Sequence, residues 1–272
     1  MSLITLTTDF GTKDHFIGAI KGAIYSELNN AKVVDISHQI TPFNITETAY
    51  ILKNAYKNFP KGSIHIIDVD SELSVENKHI AIALDGHYFI CADNGIISMI
   101  ASEIKPDKII EITIHSTLTS YSAFVKVACH IARGGTLDVV GRATDEYKQL
   151  NEVHPYINKE QNQIVGTIIY IDNYGNVICN ITKKLFNDVG KGRPYEVSAR
   201  HYTFNKIVNK YNEIVNFDLP QEKRQYDGEK LALFNASDYL EIAIYKSNLK
   251  SVGGASTLLG LGYRDSITLR FL

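Results

Sequence analysis

The chain has 272 residues, 44% of them hydrophobic, and carries a formal net charge of -2 at neutral pH. That is the composition of a soluble globular protein with room for two domains. It excludes a strongly basic nucleic-acid surface and an acidic disordered tail.

The N-terminus has no positively charged segment leading into an apolar one. No apolar run approaches the roughly 20 residues needed to cross a bilayer. A cytoplasmic protein with neither membrane nor nucleic-acid partner is expected. Trp is absent, so aromatic stacking falls to Tyr and Phe. The three cysteines, Cys91, Cys129 and Cys179, are far apart and set among apolar residues. They read as reduced core side chains, and without a Cys-x-x-Cys pair no structural zinc is expected.

Residues 1–150 alternate strand-like and helix-like segments. Ser2–Thr8 is a β-rich run, and Phe16–Leu28 repeats its apolar residues on one helical face. Lys32–Ile36 is a second strand. Thr46–Asn58 is a second helix, with Asn44 or Thr46 as its cap and Pro60 beyond its end. Ser63–Val69 is a third strand. His79–Leu84 and His87–Cys91 form a hairpin across Asp85-Gly86. Gly95–Ile104 and Ala123–Arg133 are further helices. Such alternation implies an α/β domain with a largely parallel sheet and helices on both faces.

Charge rises and periodicity fades over Asp145–Gln163, which reads as a linker. From about residue 165 to 272 the pattern becomes all-β. Gly166–Asp172, Asn176–Ile181, Tyr195–Ser198, His201–Phe204, Leu231–Asn235, Leu240–Ile244 and Ile267–Phe271 are short strands, with helical periodicity nearly absent. A smaller barrel-like or sandwich domain is expected.

Ligands of open α/β sheets bind beyond the carboxyl ends of the strands. Thr8-Asp9-Phe10-Gly11 sits there. Asp9 can accept from the two hydroxyls of a ribose or cap the next helix. Asp68 and Asp70 flank the end of the third strand and, by alternation, point the same way. They form either an acid/base pair or a turn cap beside a solvated residue. His115–Ser122 is a hydroxyl-rich loop that could hold an anion or a water, or simply cap the following helix. Asp172-Asn173-Tyr174-Gly175-Asn176 has the makings of a hairpin turn, but Tyr174 could also stack on a base and Asn176 could pair with a base edge.

In order along the chain stand TTDFG-x-x-D-x-F-x-G-x-x-K-G, DISHQITPF, FPKGSIHIIDVD, DGHYFICADNG, HIARGG, IDNYGNVICNI and LGLGYRDSITL. Together they resemble the S-adenosylmethionine hydroxide adenosyltransferases, relatives of the fluorinating and chlorinating enzymes, from about residue 3 to 271. The resemblance implies an N-terminal α/β domain, a C-terminal β-barrel and a homotrimer. The ligand would lie between the N domain of one subunit and the C domain of its neighbour. Water or hydroxide would attack ribose C5′ of S-adenosylmethionine, releasing adenosine and methionine. No cofactor beyond that substrate is implied, and no metal.

Matched by position, Asp9 would bind the ribose hydroxyls and Phe43 would line the pocket. Asp14 and Phe16 would lie near the methionine end. Asp172 would hold the methionine amino group, Tyr174 would stack near the adenine and Asn176 would hydrogen-bond it. Ala236 and Ser237 would fall where the methionine carboxylate is held. Thr117, in the hydroxyl-rich loop, joins this binding set.

The family's water-handling Asp–Arg–His constellation is only partly matched. Asp70 keeps the Asp, but Asn77 stands at the Arg position and Thr119 at the His position. Three readings stay open. Hydrolysis could run through Asp70, with Lys78 supplying charge and Thr119 or Ser120 holding the water. Another nucleophile such as halide could be used, since Ser120 fits that pattern. The chain could also bind S-adenosylmethionine or adenosine without turnover.

Overall fold

The structure is a computed structural model that describes residues 3–101, 104–114, 120–150, 153–224 and 226–272, with Ser120 described for its backbone only. It comprises two compact units, 1–151 and 152–272.

In the first unit the elements run β1 (Leu3–Thr8), α1 (Phe16–Glu27), β2 (Lys32–Ser37), α2 (Ile45–Ala55), β3 (Ile64–Asp68), β4 (His79–Leu84), β5 (His87–Ala92), α3 (Ile96–Ala101), β6 (Lys108–Ile112), α4 (Ser120–Ala132) and β7 (Gly141–Ala143). They build one sheet in the order β2-β1-β3-β5-β4-β6-β7. The first four strands are parallel, and β5-β4-β6-β7 are antiparallel. The change of sense comes at the Asp85-Gly86 turn, where both residues have positive φ (50° and 72°), the twist a two-residue hairpin needs.

Strand alternation sorts the core into two layers. Ile4, Leu6, Ile64, Ile66 and Ile90 face α1 and α4. Ile67, Phe89 and Cys91 face α2 and α3. The helices on both faces follow from this double-sided burial. Helix α2 starts at Asn44, whose side chain accepts from Glu47 N at 3.0 Å, and gives way at Tyr56 to a short 3-10 turn before Pro60. Strand β6 was not among the elements expected from sequence. Its five residues, Lys-Ile-Ile-Glu-Ile, are too short a run to tell strand from buried helix by periodicity alone.

The stretch 145–163, read as a linker, is largely tied down. Lys148 N donates to Asp93 and Leu150 N to Ser98 on the first unit. In the second unit, β8 (Tyr156–Ile157) pairs with β9 (Gln163–Ile171).

The second unit continues with β10 (Val177–Thr182), α5 (Lys183–Gly190), β11 (Tyr195–Ala199), β12 (Tyr202–Phe204), β13 (Ile207–Val208), β14 (Lys230–Phe234), β15 (Tyr239–Ile244), α6 (Ala255–Leu258) and β16 (Ser266–Phe271). The strand order is β12-β11-β16-β9-β10-β15-β14-β13. Inward residues from this whole path, among them Phe204, Leu269, Ile168, Cys179, Ile242 and Ala232, share one core. The sheet is therefore curled into a nearly closed barrel. Helix α5 departs from the all-β expectation. Thr182 caps it by accepting from Leu185 N, and Lys191 ends it in the left-handed conformation. Its eight residues give barely two turns of periodicity, too few to stand out in sequence. The three cysteines are free and buried.

Candidate functional site

At the carboxyl end of the parallel strands in the first unit, Asp9 follows β1 directly and is half-buried. Its Oδ2 accepts from Phe43 N at 2.9 Å. The loop after β2 is pinned beside it: Gly11 N donates to His38 O at 2.8 Å, and the Thr8 hydroxyl lies 2.9 Å from His38 Nδ1. His38 Nε2 in turn lies 3.1 Å from Asp35 Oδ1. Phe43 sits at φ 62° and is 73% exposed, so an aromatic ring is held in water on an unfavourable backbone. Such strain collects at ligand sites. Phe16 packs on Phe10 with ring centroids 5.4 Å apart and stacks on His15 at 4.5 Å. Asp9, Phe43 and Phe16 thus occupy the loops at one end of the sheet. Asp14 is exposed in the same 9–16 segment.

Asp68 and Asp70 do not form the alternating pair expected from sequence. Strand β3 ends at Asp68, and Asp70 has φ 45°, so the period-two rule no longer applies to it. Asp68 is fully buried, in register with Thr8 across the β1–β3 pairing. One of its oxygens accepts from the Ser71 hydroxyl, and the other has no partner among the described residues. Burial, together with the nearby Asp9 charge and against the Ser71 hydrogen bond, pushes its carboxyl up to about 6. Its acidic neighbour is Asp9 on the adjacent strand end, not Asp70.

Asn77, which the resemblance sets at an expected Arg, has a local task. Its Nδ2 donates to Asp70 O at 2.9 Å and to Glu72 O at 3.2 Å, folding the 70–77 loop on itself. Asn94 adds a second donor to Asp70 O, at 3.2 Å. Lys78 pairs with Glu111 at 2.8 Å across an open cleft of about 340 Å³ whose lining includes Leu73, Val75 and Ile112. Thr117, Thr119 and the Ser120 side chain lie outside the described residues.

In the second unit, Asp172, Tyr174 and Asn176 share one tight turn. Asp172 Oδ1 accepts from Tyr174 N at 2.8 Å and Asn176 N at 2.9 Å, and its Oδ2 accepts from Asn176 Nδ2 at 3.1 Å. Asn176 is buried, and its Oδ1 accepts from Ile244 N and Ser247 Oγ, both at 3.4 Å. The amide expected to meet a base edge is therefore engaged within the barrel. Tyr174, 59% exposed, presents its ring outward. Ser237 lies in the next turn, between β14 and β15, where its N donates to Asn235 Oδ1 at 3.0 Å.

Beneath both turns lies Glu241, only 3% exposed, hydrogen-bonded by Tyr211 Oη at 2.7 Å and by the Asn235 and Asn176 side chains. Burial, then the Asp172 charge, pushes its carboxyl up. Burial pushes Asp172 up as well, against the donors that surround it. The readings from sequence did not include Glu241. The available signal was a lone charge inside the apolar run Tyr-Leu-Glu-Ile-Ala-Ile. Among the described residues no group of three or more His, Cys, Asp or Glu side chains converges as metal ligands would.

Residues 4–141 match the SAM hydroxide adenosyltransferase N-terminal domain, and residues 166–268 match the C-terminal domain of the same family. The chain belongs to the SAM hydroxide adenosyltransferase family. It is 31% identical over 283 residues to an (R)-S-adenosyl-L-methionine hydrolase of Methanocaldococcus jannaschii, covering 99% of this chain and 96% of that one. A fluorinase of an Actinoplanes species is 22% identical, over 92% and 95% of the two chains. Among solved structures, an uncharacterized conserved protein from Thermotoga maritima superposes with TM-score 0.81 at 26% identity, over 98% of this chain and 100% of that one.

Proposed function

We propose that the protein hydrolyses S-adenosyl-L-methionine, with water or hydroxide attacking ribose C5′ to give adenosine and methionine. The full-length likeness to the Methanocaldococcus hydrolase carries this reading. Asp9 gives it a chemical foothold. The Phe43 N–H fixes Oδ2 and so orients the carboxylate, whose two oxygens match the two hydroxyls of a ribose. The sulfonium leaves as neutral methionine and needs no proton. The protein must therefore align nucleophile, C5′ and sulfur and strip water from the nucleophile, effects worth on the order of 7–11 kcal/mol at best. Asp172, Tyr174 and Ser237 would contribute the methionine and adenine contacts from the second unit. Asp70, Lys78, Thr119 and Ser120 would handle the water. A homotrimer in the cytoplasm belongs to the same reading.

One observation favours a second reading, a binder without turnover. Asn77 brings no charge and is bonded to loop carbonyls, and Lys78, the candidate to supply the positive charge, is paired with Glu111. The purified chain is to be incubated with S-adenosylmethionine, with and without chloride, and the products separated by chromatography. Adenosine that disappears in Asp9→Asn supports hydrolysis. A ligand-induced thermal shift with no product supports the binder. A 5′-chloro product would replace both.

A further inference from the structure

Three features at the carboxyl end of β3 belong together. Asp68 is fully buried, one of its carboxyl oxygens has no partner among the described residues, and the first residue beyond its register partner Thr8 is Asp9. A buried polar atom without a partner costs free energy and calls for an explanation. Hydroxyl-bearing Ser71 donates to the other oxygen, so the side chain is held in place while half of it remains uncommitted.

We propose that Asp68 is a positioning residue for ribose recognition: set behind Asp9, it takes up a proton when a nucleoside occupies the site, so that Asp9 is left as the carboxylate facing the two sugar hydroxyls. This rests on the nucleoside reading above. Two carboxylates at one site cannot both be charged cheaply, and the more buried one keeps the proton. Burial and the Asp9 charge act in that direction on Asp68, and the Ser71 hydrogen bond opposes them.

The other ionisable groups around the pair come from every neighbouring element. From β2 and its loop come Asp35 and His38, the latter joined to Thr8. Lys21 of α1 is already paired with Asp35. Asp70 lies in the loop after β3, and His79 of β4 holds Ser71 O at 2.8 Å. Asp93 follows β5 and accepts from Lys148 N. Helix α4, packed on β3, contributes Lys126, which is exposed.

A nucleoside placed on Asp9 displaces the water that screens it. Asp68 then feels the Asp9 charge more strongly and holds its proton more tightly. Linkage makes this reciprocal: nucleoside binding takes up a proton wherever free Asp68 is partly ionised. Affinity for a neutral nucleoside should therefore rise as pH falls from 8 towards 6, by up to about tenfold for each unit that binding raises the Asp68 pKa.

The test is calorimetric titration of the full chain with adenosine, at pH 7 in buffers of different ionisation enthalpy and then from pH 6 to 8. The expected result is a fractional proton uptake per adenosine and an affinity that weakens with rising pH. In Asp68→Asn, of the same shape but unable to titrate, uptake should vanish and affinity should stay flat. Ser71→Ala removes the donor that favours ionised Asp68, so its profile should move to higher pH, which keeps the idea testable if Asp68→Asn fails to fold. Adenosine binding without proton uptake in the unaltered protein overturns the inference alone, as does uptake that persists in Asp68→Asn. No adenosine binding at any pH overturns the nucleoside reading and this inference with it.

Discussion

At the other end of the sheet, away from the proposed site, His65 offers a direct check on the packing. Thr5 Oγ1 lies 2.7 Å from His65 Nδ1, and His65 Nε2 lies 3.2 Å from His87 Nδ1. Between the two facing nitrogens only one hydrogen fits, so the chain works with both rings neutral. Tyr56, Phe59 and Phe89 surround His65 and offer little to a charge. Burial, then the neighbouring His87, lowers the His65 pKa to about 3. An unfolded His titrates near 6.5. Between those two values the unfolded chain binds a proton that the folded one refuses, so stability falls as pH falls through that window. At about 1.4 kcal/mol per unit, going from pH 7.5 to pH 5 costs about 2 kcal/mol through this residue. Asp68 works in the opposite sense, because its raised carboxyl binds a proton more readily in the folded state. The His65 share must therefore be read as a difference. His65→Gln can still bridge Thr5 and His87 but does not titrate. Urea unfolding of both proteins at pH 7.5 and pH 5 should show the unaltered chain losing about 2 kcal/mol more than the variant. Equal losses would mean that His65 is not held neutral and that the buried chain of rings is wrong.

Other outcomes follow from the same geometry. Phe43→Gly frees a backbone at φ 62° and removes an exposed ring, so thermal stability should rise, by roughly 1 kcal/mol, while adenosine affinity falls. Gly254→Ala would bring a Cβ within 2.4 Å of Tyr174 O and 2.6 Å of Gly175 Cα, backbone atoms that can yield only if the 172–176 turn shifts. It should cost about 1–3 kcal/mol in chemical unfolding and reduce product formation. Asn77→Arg combined with Thr119→His supplies the Arg and His that the family resemblance leads one to expect. The pair should raise the adenosine-forming rate despite the lost Asn77 bonds to Asp70 O and Glu72 O, and an unchanged rate would show that the missing side chains do not limit turnover.

The strand-and-helix alternation of the first unit is legible where strands such as β1, β3 and β5 carry apolar residues on both faces and turns carry their own signals. Asp85-Gly86 marked the hairpin, and Asn44 marked the helix start. Strand β6 and helix α5 were missed because five and eight residues give too few repeats to separate the two periods. Asp9 could be placed from its position after β1 alone. The neighbour of Asp68 could not, since alternation holds only while the strand continues and β3 stops at Asp68. Strand register, which brought Thr8 opposite Asp68, is a long-range property that no local pattern encodes. For Asn176 the sequence leaves a hairpin-turn role and a base-edge role open, and the structure shows its Oδ1 accepting from Ile244 N and Ser247 Oγ. A short polar side chain in a hairpin gives no sequence sign of which way it will bond.

Isotope labelling bears most directly on the proposed reaction. The chain is incubated with S-adenosylmethionine in water enriched in oxygen-18, and the nucleoside product is weighed by mass spectrometry. The account predicts adenosine carrying one heavy oxygen at the 5′ position, with one methionine released per adenosine. Recovery of unchanged S-adenosylmethionine, or of adenosine without the label, would contradict it.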